Sequence, residues 1–255
     1  MMDINCDLGE YERLSEAYHD AEIMPYISAC NIACGGHAGN QLTMQHSVQL
    51  ALKNTVLIGA HPSYPDAANF GRRSMQLDQE QLYSVITEQI NVLRSIAENC
   101  GAELHHVKPH GALYNDAADD FMIAKVIVAA VRSIDADLKL YGQAHSALAE
   151  VAQQADLSFV AEGFVDRRYL SRHRLVPRAH RDALIEPITE QVEQARSLIV
   201  NKGLRGRDGQ WLNIECDTLC LHGDHTGALK TAKAIYRLVK QHHINSPSHH
   251  ETTRS

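Results

Sequence analysis

Short runs rich in apolar and β-branched residues alternate along the chain with longer segments whose apolar residues recur at three and four positions. Seven runs read as strands, at 3–7, 29–35, 55–61, 104–111, 138–142, 158–164 and 217–223. They read as apolar on both sides of the two-residue period, the pattern of strands buried on both faces. The segments 41–53, 79–99, 121–134 and 227–241 read as amphipathic helices. Strands and helices in this alternation predict a parallel α/β architecture with the helices outside, and the chemistry at the strand ends suits a barrel. No Pro/Gly/Ser-rich linker and no internal repeat divides the chain, so residues 1–243 are expected to form one β/α barrel domain. The last twelve residues, INSPSHHETTRS at 244–255, lose the apolar periodicity and are expected to be a disordered tail.

Unusual polar residues fall where these strands stop. Asp7 closes the first run, His37 follows the second, His61 closes the third, and Lys108 and His110 close the fourth. Glu162 and Asp166 finish the sixth, and His222 and Asp224 the last. In a parallel barrel those ends share one face, and that face carries the active site. Helix capping recruits Ser, Asn and Asp but gives no reason for His or Lys, so capping alone does not account for the set. The strings CGGHAG, GAHPS, KPHGALY and LHGD put Gly or Pro beside a His, which suits a sharp turn that fixes the ring.

Composition narrows the partners. Lys+Arg number 24 against 31 Asp+Glu, a formal charge of −7, so no basic excess exists to neutralise a nucleic-acid backbone. No apolar run approaches the ~18 residues of a membrane span, and MMDINCDLGE lacks the features of a signal peptide, which places the chain in the cytoplasm as an expectation. Six Cys are then expected as reduced thiols. Cys30 with Cys34 and Cys216 with Cys220 have the look of paired metal ligands. A four-residue step along a strand, at ~3.3 Å per residue, separates each pair by ~13 Å, so buried strand thiols are expected instead. GDHTGALKT follows a strand and opens a helix, but Lys230 is not adjacent to Gly227 as a P-loop requires. A helix N-terminus there could still hold an anion.

The strings NCDLGE, NIACGGHAG, IGAHPSYPD with the following FGR, HVKPHGALYN, EGFVDRRY, LVPR and CLHGD resemble, in order and spacing, the LamB/YcsF family of 5-oxoprolinase A subunits. The resemblance runs from about Asp3 to the last helix, leaving out the tail. It implies an irregular (β/α)7 TIM-like barrel of the glycoside hydrolase and deacetylase type. It also implies ATP-dependent opening of 5-oxo-L-proline to L-glutamate, with ATP and Mg2+ bound here or by partner subunits B and C, and it leaves self-association open. Carried over residue by residue, Asp7, His61, Lys108, His110 and His222 are the expected catalytic set. Glu10, His37, Arg72, Asp166, Arg167, Arg178 and Asp224 are expected to bind substrate or phosphate. Asp7 is the expected orienting or basic carboxylate. Three positions depart from the family pattern: Asn40 stands for a common Asp, Arg168 for a Gly and Asp182 for a Gly.

Two other readings compete. An Asp with two or three His on neighbouring strand ends suits a metal-dependent amidohydrolase, as in the fold's deacetylase relatives, with Asp7, His61 and His110 as ligands. The tight HxxxH spacing of those relatives is missing here. The third reading is a non-catalytic binding subunit whose partners perform the phosphoryl chemistry.

Overall fold

The computed structural model describes residues 2–223 and 227–245. A closed barrel of seven parallel strands lies at its centre. In chain order the first six are β1 (Asp3–Leu8), β2 (Ala29–Ala33), β3 (Leu57–His61), β4 (His106–Val107), β5 (Lys139–Gln143) and β6 (Phe159–Phe164). Two antiparallel hairpins follow, β7 (Tyr169–Ser171) with β8 (Arg174–Leu175) and β9 (Gly203–Arg205) with β10 (Trp211–Asn213). Then β11 (Thr218–His222) inserts between β6 and β1 and closes the sheet, which leaves the barrel no free edge. The irregular (β/α)7 barrel read from the sequence is the observed fold, with every expected strand present.

The helices are α1 (Tyr18–Ile23), α2 (Gln41–Asn54), α3 (Gln79–Asn99), α4 (Gly111–Asp119), α5 (Phe121–Ile134), α6 (Ala147–Gln154), α7 (Ile188–Asn201) and α8 (Ala228–Asn245). Their starts follow from local chemistry. Asn40 and Asp78 each form a reciprocal capping box, with Thr43 and Gln81, and Asp120 and Ser146 cap α5 and α6. Helices α1, α4, α6 and α7 are additional to the four expected. The fourth strand is shorter than the run 104–111 suggested. Lys108 and His110 still donate backbone N–H bonds to Ala60 and Pro62, but Pro109 has no N–H to give and α4 begins at once at Gly111. Helix α8 reaches Asn245, two residues into the expected tail; the rest of that tail, and Asp224, lie outside the described residues. Among the described residues no helix is long and apolar enough to cross a membrane.

Strand alternation separates two surfaces. Ile4, Cys6, Leu8, Cys30, Ile32, Ile58, Ala60, Val107, Leu140, Leu219 and Leu221 belong to the continuous apolar core that joins the strands to the helices. The other face of the same strands carries Asn5, Asp7, Asn31, His61, His106, Lys108, Glu162, Thr218 and His222, all buried. Barrel interiors of this class are dominated by branched aliphatic residues. Here the expected two-sided apolar pattern holds only on the outer face. Inside, Asn31 donates to Asn5 Oδ1 at 2.8 Å, Asn5 donates to Thr218 at 2.9 Å, and the His106 ring meets Asn31 Oδ1 at 2.7 Å. Buried polar groups tolerate this only when partnered, and these are. Gly59 makes room for the His106 ring, since a Cβ at that position would overlap Nε2.

Candidate active site

Directly above this polar interior, at the C-terminal ends of the strands, a cavity of about 370 Å³ opens. Asp7, His61, Lys108, His110 and His222 all line it, together with Arg72, Tyr114, Gln143, Phe164, Arg167 and Arg178. The five residues expected to be catalytic thus converge from β1, β3, the segment after β4, and β11. Behind them Glu10 lies 3.2 Å from His110, His37 stacks on His110, and Asp166 is hydrogen bonded to His222.

Lys108 organises the centre. Its Nζ lies 2.9 Å from Asp7 Oδ1, 2.9 Å from Glu162 Oε1 and 3.1 Å from Cys220 Sγ. Burial opposes its charge, but Asp7 above all holds its pKa well above the ordinary lysine value. Burial likewise disfavours the Asp7 carboxylate, yet His61 and Lys108 keep its pKa well below the usual range. Tyr114 donates to Glu162 Oε2 at 2.8 Å. The ammonium donates to Asp7 Oδ1, Cys220 Sγ and, at 3.3 Å, Asn5 Oδ1, while Glu162 Oε1 faces it as an ion pair without a hydrogen bond, so its three protons are directed at protein groups and its charge holds two carboxylates in place.

On the β6–β11 side, His222 Nδ1 lies 2.7 Å from Asp166 Oδ2, which also accepts the His222 backbone N–H. A carboxylate accepts only, so Nδ1 carries the proton and Nε2 is the free nitrogen, 3.9 Å from Asp7 Oδ2. Burial would lower the His222 pKa, but Asp166, and then Asp7, raise it above the ordinary value. Asp166 itself, despite burial, is held at about 2 by His222. On the opposite side, His37, His61 and His110 crowd around Glu10 Oε1, at 3.1, 4.0 and 3.2 Å. The His37 and His110 rings stack with centroids 3.6 Å apart. Gly71, at φ +62°, lets the chain pass this stack: a Cβ would meet His37 at 2.9 Å and His110 at 3.0 Å. Burial pushes the His37 pKa down to about 4 and lowers that of His110.

The rim is cationic. Arg72, Arg167, Arg174 and Arg178 line the cavity, and the β7–β8 hairpin is tied to α4 by the Arg174–Asp119 ion pair at 2.8 Å. Arg167 donates through one terminal nitrogen to the Val176 carbonyl, while its Nε and Gln143 Oε1 are buried without a protein partner among the described residues. A ligand offering an oxygen acceptor and an N–H donor would satisfy both. The arrangement thus brings together a histidine able to act as a base, an ammonium–carboxylate core and guanidinium groups able to bind an anion.

Across residues 2–254 the chain matches the model of the LamB/YcsF family. It belongs to that family. The match takes in the tail, which the motif resemblance leaves out. This LamB/YcsF chain is 41% identical over 243 residues to the 5-oxoprolinase A subunit of Bordetella parapertussis, covering 95% of this chain and 96% of that one. It is 39% identical to the protein of the same name from Pyrococcus abyssi, covering 94% of each. The crystal structure of a lactam utilization protein from Thermus thermophilus superposes with a TM-score of 0.87 at 36% identity, over 95% of this chain and 97% of that one.

The three departures from the family's motifs stand away from the cavity lining. Asn40 is the N-cap of α2, a position Asp fills equally well. Arg168 pairs with Glu190 at 3.1 Å and Asp182 with Arg207 at 2.8 Å. Sequence reasoning missed Asn5, Asn31, Tyr114, Gln143 and Cys220 as members or supports of the site. For Cys220 the signal was available: it sits two residues before His222 on the same strand and so shares its face. Cys30 and Cys34 are buried free thiols, as are Cys216 and Cys220.

Proposed function

We propose that this chain is the A subunit of an ATP-dependent 5-oxoprolinase, working in the cytoplasm with B and C subunits to open 5-oxo-L-proline to L-glutamate. The observation that carries this reading is the convergence of Asp7, Lys108, the His222–Asp166 pair and the rim arginines on one cavity. The names of the relatives support it. A five-membered lactam is a stable amide, and ATP overcomes that stability by phosphorylating the amide oxygen. The bond from the γ-phosphorus to ADP breaks as the bond to the lactam oxygen forms, with Mg2+ on the phosphates. Water then attacks the activated carbon and gives its proton to Nε2 of His222, which Asp166 orients. Nε2 passes that proton to the ring nitrogen as the C–N bond breaks and takes up the hydroxyl proton of the tetrahedral intermediate, whose oxygen becomes the carbonyl of an acyl phosphate. A second water releases phosphate and glutamate. Arg167 and Arg178 bind the anionic groups, and Gln143 Oε1 accepts the lactam N–H.

The test is 5-oxoproline-dependent ADP release with this chain alone, with each partner and with both. Release only when this chain is present, and lost with Asp166→Asn at unchanged assembly, supports the reading. Full release from the partners without this chain would overturn it in favour of the non-catalytic role.

A further inference from the structure

Two cavity histidines have their tautomers set by backbone carbonyls. His61 Nδ1 lies 2.7 Å from the Lys108 carbonyl oxygen, and His110 Nε2 lies 3.0 Å from that of Phe70. A carbonyl oxygen only accepts, so both nitrogens carry the proton. Neutral His61 therefore presents a lone pair at Nε2, and neutral His110 presents one at Nδ1. Those two nitrogens face each other at 2.9 Å. Glu10 Oε1 is 3.2 Å from the second, and His37 Nε2 completes a set of four ligand atoms that all lie within 4.8 Å of one another.

Lone pairs this close need a cation among them. A shared proton joins His61 to His110 and leaves Glu10 Oε1 to accept from His37 Nε2, 3.1 Å away, with His37 Nδ1 buried and unpartnered among the described residues; a divalent ion takes all four ligand atoms at once. We infer that Glu10, His37, His61 and His110 form a binding site for one divalent transition-metal ion of the zinc or manganese kind. Tetrahedral ligands at ~2.0–2.1 Å from zinc stand roughly 3.3 Å apart, within the spread seen here. The outward N–H of a metal-binding imidazole is held by a carbonyl or carboxylate, as His61 and His110 are. Imidazole donors suit zinc, the Glu10 carboxylate adds the oxygen that manganese favours, and magnesium prefers an all-oxygen shell. The neighbouring group of Asp7, Cys220 and His222 differs, because the Lys108 ammonium already stands 2.9 Å from Asp7 and 3.1 Å from Cys220. Asp7 Oδ1 is taken by Lys108 and Asn31 while its Oδ2 stands 3.3 Å from His61 Nε2, so the Asp7 expected from the sequence borders the set, and Glu10 and His37 complete it with His61 and His110. An ion held there would place a Lewis acid at the cavity wall. The site stands whether or not the lactam is the substrate.

The full-length chain, stripped with a chelator and dialysed, is titrated calorimetrically with ZnCl2, MnCl2 and MgCl2, and its cobalt absorption spectrum and melting temperature are recorded. Expected are one Zn2+ or Mn2+ per chain, a rise in melting temperature, visible cobalt bands and no comparable uptake of Mg2+. Glu10→Gln and His110→Gln, checked for folding by circular dichroism, should each lose the stoichiometric uptake and the cobalt bands. Folded wild-type protein that takes up neither Zn2+ nor Mn2+ would overturn the site in favour of a shared proton. Uptake unchanged in both variants would overturn it too, placing the ion on other histidines of the chain.

Discussion

On the β6–β11 side of the cavity His222 leans on a carboxylate, while on the β2–β4 side His61 and His110 lean on backbone carbonyls. All three rings are buried, yet their chemistry diverges. Asp166 stabilises the imidazolium of His222 and raises its pKa against the effect of burial. A neutral carbonyl sets the tautomer of His110 without stabilising its charge, so burial prevails and the pKa falls. The partner on the far nitrogen therefore decides whether a buried histidine is a base that takes protons or a neutral donor of lone pairs. Asp7, held by Lys108, divides the two sides, its Oδ2 3.3 Å from His61 Nε2 and 3.9 Å from His222 Nε2.

The largest expected effect is the loss of the cation that holds that divider. Lys108→Met leaves Asp7 and Glu162 as buried carboxylates without their cation, which should cost about 3–5 kcal/mol of stability in denaturant titration. Unchanged stability would mean that the amine is not what holds the two carboxylates.

A smaller effect sharpens the contrast in proton affinity. Only neutral His222 serves as base, so turnover of the assembled enzyme should rise with pH through its raised pKa, with an acid limb above ~6.5. In Asp166→Asn whatever activity remains should show that limb displaced downward, because the carboxylate that stabilises the imidazolium is gone. A limb that stays in place would assign it to another group.

The smallest effect separates the two faces of the strands. Cys30, on the outer face, should tolerate Ala with about 1 kcal/mol of lost stability and unchanged turnover. Cys220 touches Lys108, so Cys220→Ala should change turnover at similar cost to stability. Equal kinetics in both variants would remove Cys220 from the site.

The barrel was legible because most of the strand runs end in or beside a Gly or Pro and their outer faces are apolar, signals that are local in the chain. The strand-end histidines were legible for the same reason. The polar interior was not, although polar residues recur at 3, 5 and 7, at 106, 108 and 110, and at 218, 220 and 222. Asn, Thr and Cys weigh little in a hydrophobic pattern, and their partners come from other strands through registers such as Asp7 opposite His222 and Asn31 opposite Gly59. The Asp166–His222 pair shows the same limit. It joins residues 56 apart, and the contact exists only because β11 inserts beside β6. Asp7 was the sequence's choice of orienting or basic carboxylate; its Oδ2 stands 3.3 Å from His61 Nε2, while His222 Nδ1 is held by Asp166.

The most direct test of His222 as the base is the turnover of His222→Gln in the complex reconstituted with both partner subunits, measured as 5-oxoproline-dependent ADP and glutamate release. Expected are normal assembly, a near-normal melting temperature and turnover reduced about a hundredfold or more, the usual size of a lost acid–base group. Turnover close to wild type in that complex would contradict the assignment.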